Sequence, residues 1–385
     1  MSKKILHISA SYKPAYVYGG PIYSVSALCE TLSSLSDYEV TVYTTGANGK
    51  EELAVEYNTA TNVDNVKVYY FKRETKDHSQ LSPKLLKKLW STASSFDVIH
   101  IHAWWNLVSI LSCVIAVLKN KKFILSPRGT LSAYTFNSNS GKIKKFFHLT
   151  AGKWLLEKGH FIVSSANEKE EIMGLISPKS INIIYNILSF LPELNQKKYS
   201  NEPEFLKLLF LSRIEKKKGL SILFKALANC NFKYHLTIVG EGDKNYVKEL
   251  QEQVVDLGIG ENIQWAGPVY GKEKDNFFLT HDLLVLTSFN ENFANVIIES
   301  LLSATPVLVT GEVGLADYVK QKNLGWVCEA NKESIVRALK QINKQRNDII
   351  EKSERAPAIV KEDFDKKKLL SEYCDIYKKV IGSSN

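Results

Sequence analysis

The chain has 385 residues, of which 44% are hydrophobic and 24% are charged, and its formal net charge is +9. This composition is typical of an ordinary soluble globular protein with ample core, and the length predicts two or three domains. The excess of basic residues leaves three classes of partner open: nucleic acid, an anionic membrane surface, or an anionic small substrate.

The cysteines and the longest apolar run indicate the compartment. The longest apolar run, Leu107–Leu118, has 12 residues including two serines, so it predicts a buried helix and is too short to cross a bilayer. The apolar run after Lys3 and Lys4 is too short for a signal peptide. No cysteine pair has metal or redox spacing, and we expect a reduced, cytoplasmic protein. The five cysteines are Cys29, Cys113, Cys230, Cys328 and Cys374.

In the first half, short apolar runs alternate with longer helical patterns. Helices are predicted at Ile22–Leu35 and Asn106–Lys119. The predicted strands are Ile5–Ser9, Val40–Thr44, Val66–Phe71, Val98–Ile101, Phe123–Ser126 and Phe161–Ser164. Such alternation indicates a parallel sheet that is covered by helices on both faces.

A polar stretch with two prolines, residues 191–204, separates this half from a second series of strands. Those strands are predicted at Leu206–Leu211, Tyr234–Val239, Ile263–Ala266, Leu283–Leu286 and Val307–Val309. A last helix is predicted near Asp365–Ile381. The fold class is therefore α/β, with two doubly wound Rossmann-like domains facing a cleft.

Two acids in the second half, Glu291 and Glu299, are separated by seven residues, and a helix is predicted to begin between them. Asn292 is the predicted N-cap and Phe293 an early helical residue, which places Glu299 roughly 10 Å along the helix axis. The first-turn amides of Phe293, Ala294 and Asn295 would then lack intrahelical partners and form an anion site between two hydroxyl-binding acids. A nucleotide-sugar has the matching shape.

This glutamate pair, followed by Ala304-Thr305-Pro306-Val307, resembles the donor-site signature of the family 4 retaining glycosyltransferases of the GT-B fold. The resemblance implies an acceptor-binding domain over residues 1–190, a nucleotide-sugar donor domain over 191–365, and a helix over 366–385 that returns to the first domain. It also implies that Glu291 takes part in catalysis and donor binding, and that Glu299 binds the ribose hydroxyls of the donor.

Cations follow the first strand of the second half, where ligands bind in open α/β sheets. Arg213 and Lys218 match the family's Gly-Arg and Lys-Gly positions, although Ser212 stands where the family has glycine. The resemblance implies that both bind the donor diphosphate and stabilise its leaving-group charge. Gly240, in a Gly-x-Gly turn, and Val269, in the segment that usually contacts the base, are further predicted donor residues.

The first half carries further motif positions. Gly19 and Gly20 lie between the first strand and the first helix, where they form either a tight turn or a contact to the donor. His102 ends a strand and is an expected acceptor-binding residue, whereas His100 points into the sheet. Trp104 could stack on a sugar or pack in the core.

Arg128 lies in a Pro-Arg-Gly sequence, at a position where many relatives have a histidine that touches the reacting sugar. A permanent cation does not shuttle protons, so we expect Arg128 to stabilise charge or to position the acceptor. The Asp363-Phe-Asp365 sequence is interpreted as surface capping. We expect neither a metal nor a cofactor.

Several functions remain as alternatives. Within enzymes, a sugar-nucleotide epimerase or a phosphorylase of the same fold would use a similar site. A nucleic-acid-binding protein is disfavoured because the lysines are spread along the chain without a reading element, and a nicotinamide dehydrogenase because the G-x-G-x-x-G fingerprint is missing. The resemblance implies a retaining hexosyltransferase that uses a nucleotide-sugar and a glycan or lipid-linked acceptor in cell-surface polysaccharide synthesis, and we expect no nucleic acid as a partner.

Residues 138–158 combine lysines with aromatic and aliphatic residues. On one helix, Phe146, Phe147, Trp154 and Leu155 would form an apolar stripe with lysines at its flanks. Such a helix either lies on an anionic bilayer at the inner membrane surface or packs its stripe on the sheet of the first domain.

Overall fold

The computed structural model describes residues 2–136, 141–188, 204–269 and 273–383. The chain divides into two compact units, one formed by Met1–Ser189 together with Asp365–Asn385 and the other by Phe190–Phe364. Each unit has its own sheet, so each is described separately.

Within the described residues of the first unit, eight strands form one sheet in the order β10-β9-β8-β7-β1-β2-β6-β5. All pairs in it are parallel except β5 with β6, and β3 pairs with β4 in a separate hairpin. The strands are β1 Lys3–Ser9, β2 Tyr38–Thr45, β3 Ala47–Asn48, β4 Glu51–Glu52, β5 Ala60–Val63, β6 Val66–Phe71, β7 Val98–His102, β8 Phe123–Ser126, β9 His160–Val163 and β10 Ser180–Ile183.

Strands such as β1, β7 and β8 are buried along most of their length, because helices cover this sheet. The helices before residue 189 are α1 Gly20–Ser33, α2 Pro83–Thr92, α3 Leu107–Leu118, α4 Ala133–Phe136, α5 Gly141–Phe147, α6 Lys153–Glu157 and α7 Ala166–Leu175. The Asn106 side chain caps α3 by accepting from the Ser109 amide at 2.8 Å.

The second unit contains a parallel sheet of six strands within its described residues, in the order β13-β12-β11-β14-β15-β16. The strands are β11 Leu206–Leu211, β12 Tyr234–Val239, β13 Ile263–Gly267, β14 Leu283–Leu286, β15 Val307–Thr310 and β16 Gly325–Cys328. The helices are α8 Leu220–Leu227, α9 Lys244–Asp256, α10 Glu273–Thr280, α11 Asn295–Leu302, α12 Ala316–Gln321, α13 Lys332–Lys344 and α14 Asn347–Asp363. Two Rossmann-like α/β units are thus confirmed.

The last helix, α15 (Lys366–Gly382), belongs to the first unit. The Asp365 carboxylate caps it by accepting from the amides of Lys367 and Lys368 at 3.0 and 2.9 Å, as the sequence predicted. Its Tyr377 side chain is fully buried, and the hydroxyl bonds to His100 of β7 at 2.7 Å.

The predicted basic stripe of residues 138–158 does not form on one helix. A π-helical turn, His148–Gly152, interrupts the segment between α5 and α6, and residues 137–140 lie outside the described residues. Leu155 is buried and Phe147 packs on the core of the first unit, whereas Phe146 and Trp154 are 71% and 54% exposed. Each of α5 and α6 thus turns one of the four side chains inward and its neighbour outward, so the single-stripe interpretation is wrong.

No helix in the described ranges is long and apolar enough to cross a membrane.

Candidate active site

The loop after β11 carries the predicted cations of the second unit. A 3-10 turn, Lys216–Lys218, ends at Gly219, and α8 follows directly. Gly219 has φ of +73°, and a β-carbon there would lie 1.9 Å from the Thr287 carbonyl oxygen, so only glycine fits. The Lys218 side chain is almost fully buried, and its ammonium forms an ion pair with the Glu291 carboxylate.

Glu291 is held in place by backbone hydrogen bonds between two neighbouring strand ends. Its amide donates to the Glu312 carbonyl at 3.1 Å, and its own carbonyl accepts from the Gly314 amide at 2.7 Å. The Phe289 amide, two residues earlier, donates to the Lys217 carbonyl at 2.8 Å. The loops after β11, β14 and β15 therefore meet at Glu291 and Lys218.

The helix after Glu291 begins later than the sequence predicted, so the predictions that Asn292 is the N-cap and that Phe293 is helical are wrong. Helix α11 starts at Asn295, and Ala294 precedes it with a left-handed φ of +65°. The Phe293 side chain is buried beside the Phe364 ring, which fixes this loop to the core before the helix starts.

The late start of α11 also alters the predicted anion site. The sequence predicts the amides of Phe293, Ala294 and Asn295 together in the first helical turn. Only Asn295 lies within α11, and the Ile297 amide donates to the Ala294 carbonyl at 2.9 Å. Glu299 is consequently about one turn into the helix, roughly 6 Å along its axis.

Glu299 forms a salt bridge with Lys274 of α10, with 2.7 Å between the ammonium nitrogen and Oε2. Both side chains are largely buried, with 19% and 25% of their surfaces exposed. Sequence analysis missed Lys274, because it occupies an ordinary helical position and no motif marks it.

Arg213 is half-exposed and forms a salt bridge with Glu215 at 2.8 Å. It lines an open pocket together with Lys216, Glu241 and Tyr246. Among the described residues, the structure therefore joins Lys218 to Glu291, while Arg213 and Glu299 each have a different partner.

Two further predicted donor residues follow neighbouring strands. Gly240 comes directly after β12 with φ of +145°, and a β-carbon there would lie 1.9 Å from the Ser212 carbonyl oxygen. Glycine is therefore needed for the close approach of the β11 and β12 ends. Val269 lies half-buried just after β13.

In the first unit, Gly19 and Gly20 form the predicted turn into a helix. Gly19 has φ of +68° and precedes α1, of which Gly20 is the first residue. The Ser24 hydroxyl, one turn further along α1, accepts from Arg128 Nη1 at 2.8 Å.

Arg128 follows β8, and its side chain donates hydrogen bonds to three other side chains of the first unit. Its Nη1 also donates to Asn186 Oδ1 at 3.0 Å, and its Nε donates to His102 Nδ1 at 3.4 Å. Burial lowers the pKa of Arg128, but arginine remains a cation in proteins. The buried Glu168, which the sequence did not single out, lies near this cation and accepts from the Gly129 amide at 2.7 Å.

Two predicted acceptor residues are inaccessible. The Trp104 side chain is fully buried in the core against Trp105 and Phe147. His102 is only 1% exposed, and its ring nitrogens face His7 and Arg128. The interpretation of these two side chains as acceptor-binding is wrong, because their rings have no free surface for a sugar.

The Asp363-Phe-Asp365 sequence has structural roles. Asp363 forms a salt bridge with Lys322 at 2.7 Å and accepts from the Tyr318 hydroxyl at 3.0 Å. Asp365 caps α15, as described above.

Comparison with known proteins identifies the class of this fold and site. Residues 193–357 match the family described as "Glycosyl transferases group 1", and residues 18–188 match "Glycosyltransferase Family 4". The two matches cover most of the chain, which therefore belongs to the family 4 glycosyltransferases of the GT-B fold.

Individual relatives agree with this assignment. An uncharacterized glycosyltransferase of Methanocaldococcus jannaschii is 25% identical over 86% of this chain and 87% of its own length. The lipopolysaccharide core biosynthesis glycosyltransferase LpsE of Rhizobium meliloti is 28% identical over 34% of this chain and 38% of its own length. The structure of Anabaena HepE in complex with UDP-glucose is similar in fold, with a TM-score of 0.71, 18% identity, and coverage of 98% of this chain and 99% of that chain.

The Gly219 geometry yields a stability prediction. Gly219→Ala is expected to lower the free energy of unfolding of the second unit by about 2 kcal/mol or more, because alanine disfavours this φ and its β-carbon overlaps the Thr287 carbonyl. Urea unfolding followed by circular dichroism measures the change. The matched control is Gly311→Ala, whose β-carbon meets open space and which should change stability by less than about 0.5 kcal/mol. Equal midpoints for the two variants would contradict the expected strain.

Proposed function

We propose that the protein is a retaining hexosyltransferase that moves a hexosyl group from a nucleotide-sugar to a glycan or lipid-linked acceptor in cell-surface polysaccharide synthesis. The observation that carries the proposal is the buried ion pair of Lys218 with Glu291 where three strand ends meet. In this proposal residues 191–365 bind the donor, residues 1–190 bind the acceptor, and residues 366–385 complete the acceptor domain.

The charges of the second unit support a diphosphate ligand. The Lys218 ammonium would leave its ion pair with Glu291 and bind the donor diphosphate. The Arg213 guanidinium would likewise leave Glu215 and bind the same diphosphate. Positive groups in that position stabilise the charge that develops on a leaving diphosphate. The released Glu291 carboxylate would then accept hydrogen bonds from hydroxyls of the transferred sugar, and Glu299 would accept them from the ribose.

Two relatives support the donor and acceptor classes. HepE was solved with UDP-glucose, and LpsE acts in lipopolysaccharide core biosynthesis. The basic net charge of +9 also suits an anionic donor. In the acceptor domain, the partly buried Arg128 would supply a fixed positive charge near the reacting groups rather than a transferable proton.

A binding screen followed by a transfer assay tests the proposal. The protein should gain thermal stability from one nucleotide-sugar and its nucleoside diphosphate in a panel. With that donor, net transfer to a glycan or lipid-linked acceptor is expected, and the new linkage should keep the α configuration of the donor by NMR. Interconversion of nucleotide-sugars without transfer would favour an epimerase, and a β linkage from an α-linked donor would exclude the retaining mechanism.

Glu299→Ala is expected to weaken binding of the nucleoside diphosphate by about 10-fold to 100-fold, because hydrogen bonds from ribose hydroxyls to a carboxylate are lost. Isothermal titration calorimetry gives the dissociation constant. Glu252→Ala is the matched control, since Glu252 is exposed on α9 and pairs only with Lys248 one turn away among the described residues. An unchanged constant for Glu299→Ala would remove this residue from the site.

Lys218→Ala and Arg213→Ala are each expected to lower turnover by ~10²-fold or more, because each removes a cation from the leaving diphosphate. The neighbouring Lys217→Ala serves as the control, since Lys217 is partly exposed and pairs with Glu215. We expect the parent protein to keep its turnover in excess chelator. Loss of activity in chelator that manganese restores would show that a metal stabilises the diphosphate instead.

The protein is also proposed to bind anionic membrane surfaces through α5, the π-helical turn and α6. The exposed side chains of Phe146, Leu149 and Trp154 lie in this segment, which also carries four lysines, and a fifth lysine follows it directly. Aromatic and aliphatic groups that enter the headgroup region, together with lysines that attract anionic lipids, produce reversible and salt-sensitive binding.

Sedimentation with phosphatidylglycerol vesicles at low salt measures this binding. Changing Lys142, Lys144 and Lys145 together to glutamate is expected to abolish it, whereas the same charge change at Lys244, Lys340 and Lys344 of the second unit should leave most of it. If both triple variants lose binding equally, net charge alone explains the attraction. Absence of binding by the parent protein would favour a soluble acceptor.

A further inference from the structure

Three buried histidines lie beside Arg128 inside the first unit. His7 of β1 and His100 of β7 are register partners in the sheet, and His102 lies two residues further along β7. The three rings are at most 1% exposed, and their nearest nitrogens all lie within 4.8 Å of one another. We call these residues, together with Arg128, Tyr377 and Ser126, the histidine network.

Hydrogen bonds link the members of the histidine network in series. Arg128 Nε bonds His102 Nδ1 at 3.4 Å, and His102 Nε2 bonds His7 Nδ1 at 3.0 Å. His7 Nε2 is 3.5 Å from the Tyr377 hydroxyl, which bonds His100 Nδ1 at 2.7 Å. His100 Nε2 then bonds Ser126 Oγ at 2.9 Å.

Arg128 fixes the direction of this series, because a guanidinium nitrogen only donates. His102 must therefore accept at Nδ1, and if it is neutral it carries its proton on Nε2 and donates to His7 Nδ1. His7 in turn is protonated on Nε2 and donates to the Tyr377 oxygen. The Tyr377 hydroxyl is then left to donate to His100, which carries its proton on Nε2 and donates to Ser126.

The surroundings keep the three imidazoles neutral. Burial, together with the positive charge of Arg128, lowers the pKa of His7 to about 3 and holds the pKa values of His100 and His102 well below their usual range. Geometrically the three rings resemble a metal site, yet each ring nitrogen already has a partner in the network. A divalent cation would also lie next to the partly buried Arg128 cation, which opposes its binding.

We infer that His102, His7 and Tyr377 are positioning residues, which hold the Arg128 guanidinium in one orientation through an ordered series of hydrogen bonds that starts at Arg128 and passes through Tyr377 of α15. The consequence for catalysis rests on the proposed function of Arg128. The orientation of the hydrogen bonds does not rest on it, so the two are tested separately.

The protonation pattern is measured by long-range ¹H–¹⁵N NMR of the full chain with labelled histidine. His7→Gln, His100→Gln and His102→Gln assign the three signals. All three imidazoles are expected in the Nε2–H form, with the same signals at about pH 8 and about pH 5.5, where an ordinary histidine changes its charge. An Nδ1–H form or titration of any of the three would overturn the series. A shift of these signals on addition of zinc would show a metal site instead.

The catalytic consequence is measured with Tyr377→Phe, which removes the hydroxyl that joins His7 to His100. We expect kcat for UDP release from UDP-glucose to fall by about tenfold, with the KM for UDP-glucose and the Kd for UDP within twofold of the parent. Tyr38→Phe is the control, because the buried Tyr38 hydroxyl contacts the same helix at the Cys374 carbonyl, 3.5 Å away, outside the network. Equal kcat values for the two variants would overturn the positioning role.

Two changes at His102 separate positioning from simple filling of space. Glutamine presents an acceptor oxygen and a donor nitrogen that can replace both ring nitrogens, whereas leucine presents neither. His102→Gln is expected to keep more of the parent kcat than His102→Leu, and equal losses would contradict the inference. If the parent protein binds no nucleoside diphosphate and turns over no nucleotide-sugar, the proposed function fails, and the NMR result alone then decides whether the ordered series exists.

Discussion

Parallel pairing of the strands is the constraint on which both units depend. A parallel strand cannot be joined to its neighbour by a tight turn, so the chain must cross back, in most cases through a helix, and the parallel strands of one sheet end at the same edge. The ends of β11, β14 and β15 therefore bring Lys218 and Glu291 together from positions 73 residues apart in the sequence. The first unit likewise brings Arg128, after β8, to His102, at the end of β7.

In the second unit the charges at this edge are paired with one another. Lys218 pairs with Glu291, Lys274 with Glu299, and Arg213 with Glu215. Each carboxylate keeps a largely buried or half-buried cation in place and compensates part of its desolvation. A ligand that binds these cations must supply negative charge of its own, which favours phosphate groups over neutral sugars.

Periodicity predicted most of the fold, because buried parallel strands appear as short apolar runs; β11, β12 and β14 have the predicted bounds. The short strand Ser180–Ile183 was missed, since its residues are only partly buried. Motifs located Lys218 and Glu291, but the start of α11 depends on the buried Phe293 and the left-handed Ala294, which no local cap signal reveals. Burial of Trp104 is likewise decided by residues distant in sequence.

The place of α15 has a consequence for the order of events during synthesis. The helix belongs to the first unit, although it leaves the ribosome after the whole of Phe190–Phe364. Domains generally fold as units while the chain is being made. The second unit can therefore finish folding before α15 is made. Until Tyr377 of α15 packs against β7, His100 lacks its hydrogen-bond partner and this part of the first unit stays exposed to water. A nascent chain halted before α15 would thus hold a finished second unit and an incomplete first unit, which chaperones would bind and proteases could cleave.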